Sequence, residues 1–375
     1  MENRRIYLDF NASTPIAPEV AEAMKPFLNQ HYGNPSSHHW AGEPAREAVE
    51  RAREQVADLL QCKPNEIIFT SGGSESNNHA IKGVFFALRE KGNHIITTQI
   101  EHPAVLNPCR FLERLGAEVT FVPVDRYGRV DTKEIQQSIT PKTILISVMH
   151  ANNEVGTIQP IQEISKIAKE RGIILHTDAA QSVGKIDTKI DTLGVDLLSI
   201  AGHKLYAPKG VGALYVRDGT PIEPLIHGAG HENGRRAGTE NVLLIVGLGK
   251  ACEIAKKYLD DNRIRDLRDH FWDLLHENFD DGIVLNGHPI HRLPNTLNVS
   301  FVGRIGSEIL ARLVGVAAST GAACHSGSVE LSPVLKAMRI PPEVGMGAIR
   351  FSLGRTTAIQ ELETVIKLLK SAAAR

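Results

Sequence analysis

The chain has 375 residues, with 42 Lys+Arg against 43 Asp+Glu and a formal net charge of -1. That balance excludes a broad polyanion-binding surface, because nucleic-acid affinity rests on many unpaired cations. Charged residues at 23% and hydrophobic ones at 42%, with no apolar run of membrane-spanning length, also disfavour disorder and membrane insertion.

At roughly 150 residues per domain, the length suits a large domain with a smaller one and a core that needs no disulfides. The cysteines, Cys62, Cys109, Cys252 and Cys324, form no C-x-x-C pair and no zinc-spaced cluster. No metal site is expected; reduced thiols and a cytoplasmic location are. The opening residues Met1 to Asp9 carry charges without a long apolar run and read as neither a secretory signal nor a transit peptide.

A short strand is expected at Ile6–Phe10. From about Glu66 to Val216, apolar runs alternate with amphipathic segments. The runs are Glu66–Thr70, His94–Thr98, Val119–Val122, Thr143–Val148, Ile173–Thr177, Asp196–Ile200 and Val211–Val216. Strands separated by helices imply crossover units and a mostly parallel sheet covered on both faces. Thr239 reads as the N-cap of a helix running to about Tyr258, and Asp260–Asn262 as a boundary. Beyond it a helix (Leu267 to Leu275), strands near Ile283–Leu285, Asn295–Phe301 and Ala348–Leu353, and a terminal helix Ile359–Leu369 make a smaller α+β unit.

Three features stand at strand ends, where ligands of such sheets bind. Thr70-Ser-Gly-Gly-Ser-Glu75 enters a helix with small residues and hydroxyls suited to phosphate, although most such turns are plain helix starts. Asp178 follows an apolar strand and reads equally as a helix cap. Lys204, in Ala201-Gly-His-Lys204, is either a surface charge or a partly desolvated Schiff-base amine. A phosphate cradle, a carboxylate and a lysine in that order suit pyridoxal phosphate, which needs an amine for its aldehyde and an acid for its ring nitrogen.

The chain resembles the cysteine desulfurases and selenocysteine lyases, the class V aminotransferase branch of fold-type I pyridoxal-phosphate enzymes. The motifs run from Tyr7-Leu-Asp-Phe-Asn-Ala-Ser-Thr-Pro15 through Gly33-Asn-Pro-Ser-Ser37, Thr70–Asn77, Glu101-His102, Met149–Gly156 and His176–Gly184. They continue through Gly202–Gly212, Arg236–Asn241 and Gly321-Ala-Ala-Cys324 to Ile349–Arg355. The resemblance implies an α/β fold, with a large cofactor-binding domain at 14–260 carrying a mostly parallel sheet flanked by helices. Residues 1–13 and 261–375 would form the smaller α+β domain.

It also implies residue roles. Lys204 looks like the lysine that bonds pyridoxal 5'-phosphate and later moves the substrate's α-proton; Asp178 like the ring-nitrogen partner; Gln181 like the donor to the ring oxygen. His102 resembles the residue stacked on the ring, and Asn153 one on its hydroxyl side. Gly73, Ser74 and His203 look like phosphate contacts, and Thr239 like a threonine reaching a partner subunit's phosphate, which implies a homodimer. Arg350 matches the arginine that grips the substrate carboxylate, with Arg355 its competitor and Asn34 a further substrate contact. Cys324 looks like the nucleophile that takes sulfur from L-cysteine as a persulfide and leaves alanine. The sulfur would pass to an acceptor protein such as an iron–sulfur scaffold. The other three cysteines read as core.

Three departures accompany the resemblance. Ala201 stands where serine is usual, Ser74 where threonine is common, and Ala-Ala-Cys-His replaces Ser-Ala-Cys-Thr around the nucleophile. The last, with the Gly-Thr-Glu-Asn run, leans toward selenocysteine lyase, so L-selenocysteine is the alternative substrate. A non-catalytic scaffold for partner proteins and a plain aminotransferase are the other readings. No nucleic-acid or membrane partner is expected.

Overall fold

The computed structural model describes residues 5–320, 324–325 and 328–373, with only the backbone at 324, 325, 328 and 329. Its strands are β1 (Ile6–Tyr7), β2 (Ile67–Thr70), β3 (His94–Thr98), β4 (Glu118–Val122), β5 (Thr143–Ser147), β6 (Ile174–Asp178) and β7 (Leu197–Ala201). The remainder are β8 (Gly212–Val216), β9 (Ile283–Asn286), β10 (Thr296–Phe301), β11 (Val316–Ala317), β12 (Cys324–His325), β13 (Ser328–Val329) and β14 (Ala348–Ser352).

Seven strands form the central sheet in the order β2-β8-β7-β6-β5-β3-β4. From β7 to β4 every neighbour is parallel, whereas β8 runs antiparallel to both β7 and β2. The apolar strands β2, β3, β5, β7 and β8 are buried along their whole length because helices cover both faces. On one face pack helices Glu43–Leu60, Ile161–Arg171 and Val242–Lys256. On the other pack Gly73–Leu88 and Pro103–Glu113.

A separate core surrounds the antiparallel sheet β14-β10-β9. Helix Ile359–Ala372 buries Leu362, Val365, Ile366 and Leu369, the three- and four-residue spacing of one helical face. Helix Arg263–Phe279 adds Phe271 and Leu275, and the opening segment adds Ile6 and Leu8. Among the described residues no helix is long and apolar enough to cross a membrane.

Several boundaries differ from the sequence reading. The opening strand is confined to Ile6–Tyr7, parallel to Val316–Ala317. Thr239 does not cap the following helix: that helix begins at Val242, and the Asn241 side chain accepts from the Leu244 N–H. An amide two residues closer to the first turn reaches the free donors that Thr239 cannot. The flanking helices Arg263–Phe279 and Ile359–Ala372 extend past their apolar stripes.

Candidate active site

The carboxyl ends of β2, β6 and β7 open onto a cavity of about 360 Å³. Gly73, Ser74, His102, Asn153, Asp178, Gln181, His203, Lys204 and Arg350 all line it, beside Asn11, Ala12, Asn77 and Ala201.

The turn after β2 owes its shape to glycine. Gly72 sits at φ +146°, and a Cβ on Gly212 would fall 2.7 Å from the Gly72 Cα, so backbone meets backbone there. Helix Gly73–Leu88 starts at once, with no side chain capping its first turn. Its leading N–H groups carry the partial positive charge of a helix N-terminus, the usual seat of a phosphate. Ala201 faces this turn: a Cβ on Gly73 would lie 3.1 Å from the Ala201 methyl. The missing serine hydroxyl is thus absent from the cradle wall itself.

Asp178 closes β6 and is no helix cap; the next helix starts only at Ile190. Its Oδ1 accepts from the Ala180 N–H at 2.9 Å and its Oδ2 from Asn77 Nδ2 at 2.6 Å. Lys204 ends the short turn after β7, and its Nζ donates to the carbonyls of Asn11 (2.7 Å) and Ala12 (2.8 Å). Partial burial, with the Arg350 cation nearby, pushes its pKa down to about 8. Burial and the Lys204 cation likewise push His203 down to about 4, leaving a neutral ring at pH 7.

His102 is the N-cap of helix Pro103–Glu113, and its Nδ1 accepts from the Ala104 N–H at 3.1 Å. That bond leaves the ring proton of the neutral form on Nε2. Gln181 donates through Nε2 to the Asn11 carbonyl at 2.9 Å and accepts from Lys185 Nζ at 2.9 Å. Arg350, on β14, donates to the Asn153 carbonyl (3.0 Å) and to Asp9 Oδ1 (2.6 Å). Its Nε is buried without a partner among the described residues.

The remaining candidates lie elsewhere. Asn34 is exposed and its Oδ1 accepts from the Ser36 N–H, because Asn34 belongs to a surface turn away from the strand ends. Thr239 lines a second cavity of about 250 Å³ with Thr70, Ser71 and Arg236. Arg355 is held between the rings of Tyr206 and Tyr258, 4.3 Å from each centroid, off the main cavity. Cys324 has a described backbone, paired with Val329; its thiol and Gly321–Ala323 lie outside the described residues. Burial raises Cys62, Cys109 and Cys252 to about 12, which makes them poor nucleophiles.

Sequence reasoning assigned no role to Asp9, Asn11, Asn77, Glu101 or Lys185. Asn77 carried a usable signal: it sits one turn beyond Gly73, so it faces the same side as the cradle. Asn11 lies within the Tyr7–Pro15 motif, but its contacts with Gln181, Thr296 and Asn295 are all distant in sequence, so its role was not readable there.

Fold and site together define a pyridoxal-phosphate enzyme of fold type I. The aminotransferase class-V family model matches residues 6–365, and the chain belongs to that family, on its cysteine desulfurase branch. It is 54% identical to the cysteine desulfurase IscS of Dictyoglomus turgidum over 98% of this chain and 94% of the relative. Identity to the cysteine desulfurase IscS of Methanosarcina thermophila is 47%, over 98% and 92%. A solved NifS-like protein superposes with a TM-score of 0.93 at 39% identity, covering 99% of both chains. The structure of SspA in complex with cysteine gives 0.83 at 40%, covering 93% and 98%.

The residues fit pyridoxal phosphate. Asn77 Oδ1 and Arg350 Nε are buried polar atoms without partners among the described residues, at the cavity edge, and the uncapped helix turn, the Asp178 carboxylate and the Lys204 amine converge on one space. When bound, the cofactor supplies an aldehyde for an amine and a ring that draws electrons from the α-carbon of an amino acid.

Proposed function

We propose that this enzyme converts L-cysteine to L-alanine and places the sulfur on Cys324 as a persulfide. The observation that carries the reading is the meeting of Lys204, Asp178 and Arg350 on one cavity, in a chain related throughout its length to proteins named cysteine desulfurase.

In this reading Gly73, Ser74 and His203 hold the phosphate, Asp178 meets the ring nitrogen, and His102 stacks on the ring. Gln181 and Asn153 contact the ring-oxygen side. Arg350 grips the substrate carboxylate through its guanidinium fork. The Lys204 amine, with a pKa near 8, accepts the α-proton at Nζ. The Cys324 thiolate bonds to the substrate sulfur as the carbon–sulfur bond breaks. The electron pair stays with carbon, which takes up a proton, and one sulfur atom is added to the enzyme thiol.

Thr239, on its separate cavity beside the Ser71 turn, reaches the phosphate of a second copy in a homodimer, and Asn34 is a further substrate contact. The persulfide then passes to a protein thiol, such as that of an iron–sulfur scaffold. Four cysteines scattered along the sequence agree with a reducing cytoplasmic setting.

The test is incubation of the purified enzyme with L-cysteine, scoring alanine and the mass of the Cys324 peptide. One added sulfur atom on that peptide, lost in Cys324→Ala while the visible cofactor band persists, is expected. Undiminished alanine release from Cys324→Ala would overturn the assignment. The Ala-Ala-Cys-His context favours L-selenocysteine as a second substrate, and parallel turnover of both amino acids measures the preference.

A further inference from the structure

Lys185 is half-buried, four residues after the cavity-lining Gln181, and itself lines a separate small cavity with Gly184, Tyr206 and Tyr258. Its ammonium donates to Gln181 Oε1 at 2.9 Å; among the described residues it has no carboxylate partner. Desolvation, with two further cations, Lys204 and Arg350, as charged neighbours, pushes its pKa down to about 7. A cation in that position is costly unless hydrogen bonding offsets its lost hydration, and the bond to Gln181 contributes that offset.

We propose that Lys185 is a positioning residue that locks the Gln181 amide with its NH2 toward the cofactor cavity. The inference rests on the proposed role of Gln181 as a cofactor contact. An amide side chain has an accepting and a donating end of nearly equal shape, so by itself it can turn over. In its ammonium form, held below its pKa, Lys185 only donates, so the end facing it is Oε1, and the Asn11 carbonyl, which only accepts, sets the same orientation from the other end. The far end is then the NH2 group, which spends one hydrogen on the Asn11 carbonyl at 2.9 Å. The other hydrogen remains for the cavity that Gln181 lines. A turned-over amide would set NH2 against ammonium and carbonyl against the Asn11 carbonyl, two repulsive contacts. The same Asn11 carbonyl accepts from Lys204 Nζ at 2.7 Å, so the line of contacts runs from one lysine to the other. Lys185 thereby ensures that an anionic ring oxygen meets an N–H and not a carbonyl.

The experiment compares Lys185→Met, Lys185→Gln, Lys185→Arg, Gln181→Leu and the Gln181→Leu/Lys185→Met double variant as cofactor-loaded proteins. Three quantities are read: the pH midpoint of the visible cofactor band, the cofactor dissociation constant and the melting temperature. The expected result is that Lys185→Met moves the midpoint in the direction of Gln181→Leu and weakens cofactor binding about fivefold. Lys185→Arg restores both, Lys185→Gln falls between, and Lys185→Met adds nothing in the Gln181→Leu background. A midpoint shifted by Gln181→Leu but unmoved by Lys185→Met and Lys185→Gln overturns the positioning role. So does an undiminished Lys185→Met effect in the Gln181→Leu background, which would mean the charge acts without the amide. A Gln181→Leu protein with an unchanged band overturns the reading of Gln181 itself, a failure distinguishable from the other two.

Discussion

Arg350 Nη2 and Asp9 Oδ1 meet at 2.6 Å across 341 positions of sequence. The pair joins β14 to the opening segment, and Ser319 adds a hydroxyl to the other Asp9 oxygen at 3.1 Å. Ser319 also bridges Arg350 through the backbone. The guanidinium proposed to receive substrate is thus tied, through Asp9, to the stretch that leads toward Cys324.

Asp9→Asn keeps the shape and removes the charge. The guanidinium loses its charge-assisted partner, so substrate binding weakens, while the Lys204 amine loses an anion that raises its pKa and changes less. KM for L-cysteine should rise about tenfold, close to 1.4 kcal/mol, with kcat within about threefold. Steady-state alanine formation checks this, and an unchanged KM would refute it.

Asn77 gives Asp178 its only side-chain donor in the described residues, at 2.6 Å. Asn77→Ala frees one carboxylate oxygen and should weaken cofactor binding about tenfold, the usual scale for a charged hydrogen bond. Fluorescence titration of the resolved apoprotein with pyridoxal phosphate is the measurement. Equal affinity would show that the Ala180 N–H suffices.

Glu101 lies beneath the His102 cap, accepting from Thr98 Oγ1 and the Met149 N–H. Burial raises its pKa from 4.5 to about 8, so between those values the folded state binds the extra proton. Its contribution is full below pH 4.5 and is lost as pH climbs through 8. Glu101→Gln removes this slope and should gain about 1–3 kcal/mol on wild type between pH 5 and pH 8. The buried histidines His150 and His176, pushed down to about 4 and 3, act in the opposite sense and cancel in the comparison. Urea unfolding at both pH values decides it, and a gap that fails to widen toward pH 8 would count against a neutral Glu101.

Arg53 and Glu232 form a buried two-pronged pair, Nη1–Oε2 at 2.7 Å and Nη2–Oε1 at 3.0 Å, with the Phe69 N–H on the same carboxylate. Arg53→Met alone strands a buried anion and should cost about 3–5 kcal/mol. Adding Glu232→Gln should recover part of that loss. Denaturant midpoints of the two variants provide the check; an additive loss would mean that the pair is not coupled.

Much of this architecture was legible because apolar runs such as Ile67–Phe69 and Leu197–Ile200 are buried on both faces and so carry no competing polar pattern. The direction of β8 was not, since periodicity gives burial without polarity of the chain. Lys204, Asp178 and Arg350 were readable from their motifs. Asn11 and Lys185 were not, because their partners are assembled only by folding. Asn34 and Thr239 carried motif signals, yet the fold sets them away from the main cavity. The helix start at Asn241 was obscured by a run of residues, Thr239 and Asn241 among them, each able to cap.

Lys204 rests on the carbonyls of Asn11 and Ala12, whose stretch begins in β1 and shares the second apolar core through Ile6 and Leu8. The amine's position is therefore held by the opening stretch as well as by the turn that bears it. A fusion or trimming that tugs on that stretch would register first as altered chemistry, while the melting curve still looked sound.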